Sequence, residues 1–328
     1  MKKLYIFGNG LGRSFDNDFY CLDRALKTSW GEEGPLSAQQ RQLINSCLDD
    51  ELIENEAEAP TSEEQLRDLQ RVVDACDLIA VFQERTNYDE GWLTGEGVEF
   101  PRAVRRYFHH AASQFHDQNK YLPEVFANRF REFVREHRPH IATLNYDDLL
   151  YDAYVGYDIA SDHLLRDGFF KSFDFEKHQG YFNSQNEGWF LHLHGSPLFV
   201  TRNGIDQKLT RADLGSYRGS EKTHLVLTHA KSKPGAIRSS PILSAYWKEL
   251  DTILCEPTEV TLFGYGGMDL HLNNLLSNTD DHVVIRVASR MPEDEGKCIE
   301  DWRKRIRNKD IPNENFIFVG SLMDFDQW

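Results

Sequence analysis

The segment Lys3-Leu-Tyr-Ile-Phe-Gly-Asn-Gly-Leu-Gly12 sets the apolar run 4–7 directly before Gly8, Gly10 and Gly12. A short β-rich run broken by residues that tolerate a sharp turn is how an α/β fold opens. Two later segments share the form. His140-Ile-Ala-Thr-Leu-Asn-Tyr-Asp-Asp148 ends an apolar run in an amide and two carboxylates, and Gly188-Trp-Phe-Leu-His-Leu-His-Gly-Ser-Pro197 ends one in His194, Gly195 and Ser196. Further β-rich runs at 223–228, 259–263, 283–288 and 316–319 are spaced widely enough for crossovers, and 241–254 reads as a helix with its proline in the first turn. The expected fold is α/β: a Rossmann-like, mostly parallel sheet with helices on both faces.

Between the first two strands the periodicity changes. Residues 49–64 are acidic and contain Pro60, reading as an exposed connection into a helix capped at Thr61 or Ser62. Apolar stripes follow at helical spacing: Leu66, Leu69, Val73, Cys76 and Ala80; then Val104, Tyr107, Phe108, Ala111 and Phe115 after a helix start at Pro101; then Val125, Phe126, Phe130, Phe133 and Val134. Residues 20–136 are therefore expected to be a large helical insertion, and 1–19 with 137–328 the Rossmann-like domain.

Composition narrows the function classes. The chain has 328 residues, 40% of them hydrophobic, enough for a large core, and a net charge of -16 that argues against broad, charge-driven binding to nucleic acid or anionic membrane. Its five cysteines are far apart and form no Cys-x-x-Cys pair, which excludes a zinc ribbon, disfavours a disulfide framework and points to a reducing cytoplasm. No apolar run approaches a membrane span.

The strand ends carry the chemistry. Gly8-Asn9-Gly10-Leu11-Gly12 suits close approach of a phosphate, or simply a strand-to-helix turn; it lacks the full dinucleotide fingerprint and has no lysine placed as in a Walker loop. As a phosphate cradle, it should lose its ligand before its fold when Gly10 becomes valine. Asn145 is a neutral amide able to hold a water or a ribose hydroxyl, while Asp147 or Asp148 caps the next helix. The similar string Thr86-Asn87-Tyr88-Asp89 has no clear strand before it and is set aside. His192 and His194 share a face by period-two alternation unless the strand end turns the second outward; no third ligand supports a metal there, so His194 is the better general base. Gly264-Tyr265-Gly266-Gly267 closes a fourth strand, with Asp269 placed to cap the helix beyond it.

These four pieces, in this order, resemble the sirtuin-like family, specifically its bacterial NAD-hydrolysing branch in antiphage defence systems. The resemblance spans about the first 20 residues and 138–290. It implies that Asn145 and His194 are catalytic, and that Gly8, Asn9, Gly10, Leu11, Asp147, Gly195, Gly264, Tyr265, Gly266 and Asp269 bind the nucleotide. The implied reaction is hydrolysis of the nicotinamide–ribose bond of NAD to nicotinamide and ADP-ribose, in an abortive-infection effector. Protein-deacylating sirtuins usually carry a Gly-Ala-Gly-x-Ser loop and a four-cysteine zinc module; neither is present, so no zinc and no cofactor beyond the substrate NAD is expected. The implied partners are further copies of the chain and a defence-system protein such as an ATPase, an Argonaute-like protein or a phage-protein sensor, the insertion covering the substrate tunnel until a trigger acts. Two alternatives stand beside this: a catalytically silent NAD- or ADP-ribose-binding module, and an NAD-dependent deacylase or ADP-ribosyltransferase.

Overall fold

The computed structural model describes residues 1–48, 58–86, 93, 95–116, 119–155, 164–181, 187–218, 221–226 and 233–328. The chain opens with β1 (Lys2–Phe7) and α1 (Gly10–Phe15), continues through α2 (Leu22–Trp30), α3 (Ala38–Asn45), α4 (Glu63–Thr86), α5 (Gly95–Ser113) and α6 (Glu124–His137), and returns to strand with β2 (His140–Thr143). Then come α7 (Leu149–Val155), β3 (Leu165–Arg166), α8 (Phe175–Tyr181), β4 (Gly188–His192), β5 (Gly195–Arg202), β6 (Ile205–Lys208) and β7 (Lys222–Leu225). The chain finishes through α9 (Lys233–Ser239), α10 (Pro241–Leu254), β8 (Thr258–Phe263), α11 (Leu270–Ser277), β9 (Val283–Arg290), α12 (Glu295–Arg305) and β10 (Phe316–Val319).

Seven strands form one sheet in the order β10-β9-β8-β1-β2-β4-β3, every pair parallel. Apart from the short edge strand β3, this is the Rossmann order, in which the chain starts at the centre, builds to one side, then crosses to the other. Alternation along β1 explains how the sheet is covered. Leu4 and Ile6 pack with α10, α11 and α12 through residues such as Leu243, Leu250, Leu272 and Trp302. Tyr5 and Phe7 face the other way, onto Phe126, Phe130 and Phe133 of α6. Burying each such aromatic contributes ~1.5–3 kcal/mol. A third core, built from α2, α4 and α5 around Leu26, Leu69, Val104 and Tyr107, is separate from the sheet, so of the helices between β1 and β2 the last, α6, serves as a sheet-covering layer.

Two readings from sequence change. The run at 223–228 is not a strand of the main sheet: β7 pairs antiparallel with β5, whose other neighbour is β6. Its burial runs exposed, intermediate, buried, intermediate from Lys222 to Leu225, while 227 and 228 lie outside the described residues. Pro101 does not start its helix. It sits inside α5, buried, with the helix beginning at Gly95, so the proline removes a single amide bond near the N-terminal end. The start of α4 is as expected: Ser62 Oγ accepts from the Gln65 amide at 3.2 Å and Gln65 Oε1 accepts from the Ser62 amide at 3.1 Å, a reciprocal cap. Of the acidic connection, 49–57 lie outside the described residues, as do 87–89 of the string set aside above, whose Thr86 ends α4.

Candidate active site at the sheet switch point

β1 and β8 are neighbours in the sheet, yet the chain leaves them for opposite sides, so their C-terminal ends mark the switch point of the fold, where the crevice of such a sheet lies. The loops after β2 and β4 open into the same crevice. A cavity of about 280 Å³ lies there, walled by Gly8 and Asn9 after β1, Asn145 and Asp147 after β2, His194 after β4, and Tyr265, Gly266 and Asp269 after β8. The four motifs, 137 residues apart for Gly8 and Asn145, are therefore one site. Gly10, Leu11, Gly195 and Gly264 are not on its wall; they shape the turns behind it.

The glycine loop is packed closely against the loop after β8. A side chain at Gly10 would meet the Gly264 oxygen at 2.5 Å, and one at Gly8 would meet Tyr265 Cα at 2.6 Å. The amides of Gly8, Gly10 and Leu11 are spent on Phe263, Gly264 and Gly8 carbonyls. The loop after β1 is thus clamped to the loop after β8. Gly195 answers a different need: its φ is +80° and a Cβ there would strike the His224 carbonyl, because β5 turns back towards β7 immediately after His194.

Asn145 is held by two bonds. Its amide donates to Thr143 Oγ1 at 3.1 Å and its Nδ2 to the Gly8 carbonyl at 3.2 Å. Its Oδ1 is buried without a hydrogen-bond partner among the described residues, an acceptor in the cavity wall. Asp147 Oδ1 accepts from the Leu149 amide at 3.1 Å, so Asp147 is the residue that caps α7. Burial, reinforced by neighbouring Asp148, pushes its carboxyl up to about 7. Asp148 turns away from the cavity to His116 at 3.1 Å and to Arg211.

His194 Nε2 donates to Asp269 Oδ2 at 2.7 Å, and Lys233 Nζ donates to the same oxygen at 2.9 Å. The other carboxylate oxygen, Oδ1, accepts from the amides of His271 and Leu272 and caps α11. Burial would raise the Asp269 carboxyl, but His194 and Lys233 outweigh it and hold it well below the usual range. The imidazole is pushed below its ordinary value by burial, then by the Lys233 charge, against the pull of Asp269. His192 ends β4 and does not meet His194: it points to the Lys208–Asp167 pair on the inner side of the loop. Among the described residues no cluster of three or more His, Cys, Asp or Glu side chains is arranged to hold a metal.

Sequence reasoning missed Lys233 and which residues of the insertion reach the cavity. Tyr20, Leu22, Leu66 and Phe115, all from the segment between β1 and β2, line it beside the strand ends. No spacing along the chain marks them, because helical periodicity reports which residues are buried and not which pocket they overlie. Lys233 opens α9 just before Pro234-Gly235, a helix-start pattern that points to no partner. Tyr265 contributes its ring to the wall, but its hydroxyl accepts from the Asp269 amide at 2.8 Å and donates to Asn273 Oδ1 at 2.9 Å, so it braces the loop. No family model matches the chain, and no curated protein is similar to it at a significant level.

Proposed function

We propose that this chain cleaves the nicotinamide–ribose bond of NAD, releasing nicotinamide and ADP-ribose. The observation that carries the reading is one cavity at the Rossmann switch point, in which the unpartnered Oδ1 of Asn145 and the His194–Asp269 pair stand on separate strand ends. The switch point of such a sheet is where nucleotides bind. A glycosidic bond to a cationic nicotinamide ring breaks through an oxocarbenium-like state, and the wall offers groups that such a state can use: carboxylates, and an acceptor for a hydroxyl or water. Asn145 Oδ1 accepts from the water or a ribose hydroxyl, and His194 with Asp269 grips the ribose. The resemblance noted from sequence points to the same bond, and with it to a defence effector that acts with further copies of itself and a triggering protein partner, since unregulated NAD cleavage would empty a cell.

The test is NAD consumption by purified protein, alone and with the product of a neighbouring gene. His194→Ala and Asn145→Ala should each lower turnover by ~10²–10⁴ while circular dichroism and melting stay close to the parent. Full turnover in a folded His194→Ala protein would falsify the assignment. NAD binding without turnover in the parent protein, under both conditions, would make the chain a binding module instead.

A further inference from the structure

Hydrolysis in this cavity requires a group to take the proton of the attacking water, and the geometry removes most titratable groups from that role. The His194 ring gives its Nε2 to Asp269, and burial together with the Lys233 charge disfavours its taking a further proton. Asp269 already accepts from His194, Lys233 and two amides. Lys233 is a cation in an ion pair, and burial pushes the phenols of Tyr146 and Tyr265 up. Asp147 differs. One of its oxygens caps α7, and neither has a side-chain hydrogen-bond partner among the described residues.

We infer that Asp147 is the proton acceptor for the attacking water, and that His194 and Asp269 orient the sugar without taking its proton. This rests on the NAD-cleaving reading above. A second observation is that Asp147 stands between two cavities. Besides the main one it lines a smaller one of about 10 Å³, the size of one water. Asp148, His192 and Lys208 are among the other residues lining it, with Leu198 and Phe199, and the His192 Nδ1 is buried without a partner among the described residues. The nearby cations are already engaged, Lys208 by Asp167 and Arg211 by Asp148 and Asp152, and His116 Nδ1 lies 3.1 Å from Asp148. With its carboxyl at about 7, Asp147 is ionised in a large fraction of molecules at neutral pH, while still basic enough to hold a proton.

The step balances. The water oxygen attacks C1′ as the C1′–N bond breaks, the bonding pair returns to the ring, and nicotinamide leaves neutral. The water proton passes to Asp147 and then to solvent, so NAD and water give ADP-ribose, nicotinamide and one proton.

Asp147→Asn keeps an oxygen to cap α7 and removes the basicity. It should lower kcat by ~10²–10⁴ with KM near the parent value, and abolish the rise of kcat/KM with pH that the parent shows around pH 7. His194→Ala should retain that rise at a lower rate. A parent-like rate in Asp147→Asn, or a pH rise lost in His194→Ala but kept in Asp147→Asn, overturns the inference. A carboxyl titration of the parent labelled with ¹³C-aspartate, followed by NMR, needs neither a variant nor turnover. One aspartate titrating near pH 7 is expected, and all aspartates ionised below about pH 5.5 would overturn the inference even in a protein that cleaves NAD. An aspartate titrating near 7 in a protein that leaves NAD intact supports Asp147 as the acceptor in this cavity and sinks only the choice of substrate.

Discussion

At the scale of single residues, the glycines and the strand-end polar groups have exchanged importance. Gly10 looked like the contact a nucleotide would make, so that Gly10→Val should block binding and spare the fold. The structure reverses the order, since the new side chain would run into the backbone of Gly264 at 2.5 Å, and backbone cannot give way as a flexible side chain can. Gly10→Val is expected to cost more than the ~1–3 kcal/mol of ordinary overpacking, and even Gly10→Ala should lower the unfolding midpoint. Chemical denaturation of the two variants checks this; a Gly10→Val protein as stable as its parent would show that the loops are not clamped. Asn145, by contrast, stands in the cavity wall with a buried amide oxygen that has no partner among the described residues. A buried amide with one oxygen unpartnered is costly unless something accepts the offer.

At the scale of elements, caps and strand ends place the chemistry. Asp269 caps α11 with one oxygen and holds His194 and Lys233 with the other, so the start of a helix and the orientation of a pocket histidine are one structural fact. Ser240 does the corresponding service for α10: its Oγ accepts from the Leu243 amide at 3.1 Å and sits 2.7 Å from His224 Nδ1. Ser240→Ala should therefore cost ~1–2 kcal/mol, toward the upper end for a cap because His224 loses the hydrogen bond at its Nδ1 as well. The check is the denaturation midpoint, with NAD turnover expected to be unchanged, because Ser240 is not on the wall of the candidate site. Most helix and strand positions were legible in the sequence at this scale, since period and caps are local. The short β5–β6 hairpin was not: it follows His194 without a break, and its turn at Asn203-Gly204 joins strands with little apolar alternation.

At the scale of the whole molecule, burial of neutral histidines sets how stability responds to acid. Burial pushes His140 and His192 down to about 3 and His109 and His224 down to about 4. Unfolded, each would bind its proton near ~6.5, so the folded state holds fewer protons below that pH. Their contribution is fully present above ~6.5 and is lost as pH falls toward 4 and 3, with a slope of up to ~1.4 kcal/mol per pH unit for each histidine. Asp147 works in the opposite sense: its carboxyl is raised to about 7, so its contribution is present below ~4 and is lost as pH rises through 7. Guanidinium midpoints measured from pH 8 down to about 4 should fall steeply below pH ~6.5. A midpoint flat to pH 4 would mean that these histidines titrate normally and are not buried as described. No helix among the described residues is long and apolar enough to cross a membrane.

The sequence by itself determined the class of fold and the four strand ends worth watching. The reason is that period two, period 3.6 and a glycine after an apolar run are all consequences of neighbouring residues along the chain. It also pointed to Asn145, Asp147, His194 and Asp269 as the polar groups at those ends. What only the tertiary structure decided is which partner each one takes. His194 meets Asp269 across 75 positions and Asn145 meets Gly8 across 137, and Lys233, Leu66 and Phe115 reach the cavity from elements whose own patterns are those of ordinary helices. Contacts of that range depend on how the sheet orders its strands and how the helices between β1 and β2 fold back over them. Hence the division between a glycine that clamps two loops, a carboxylate that is spoken for and one that is free to take a proton was written in three dimensions.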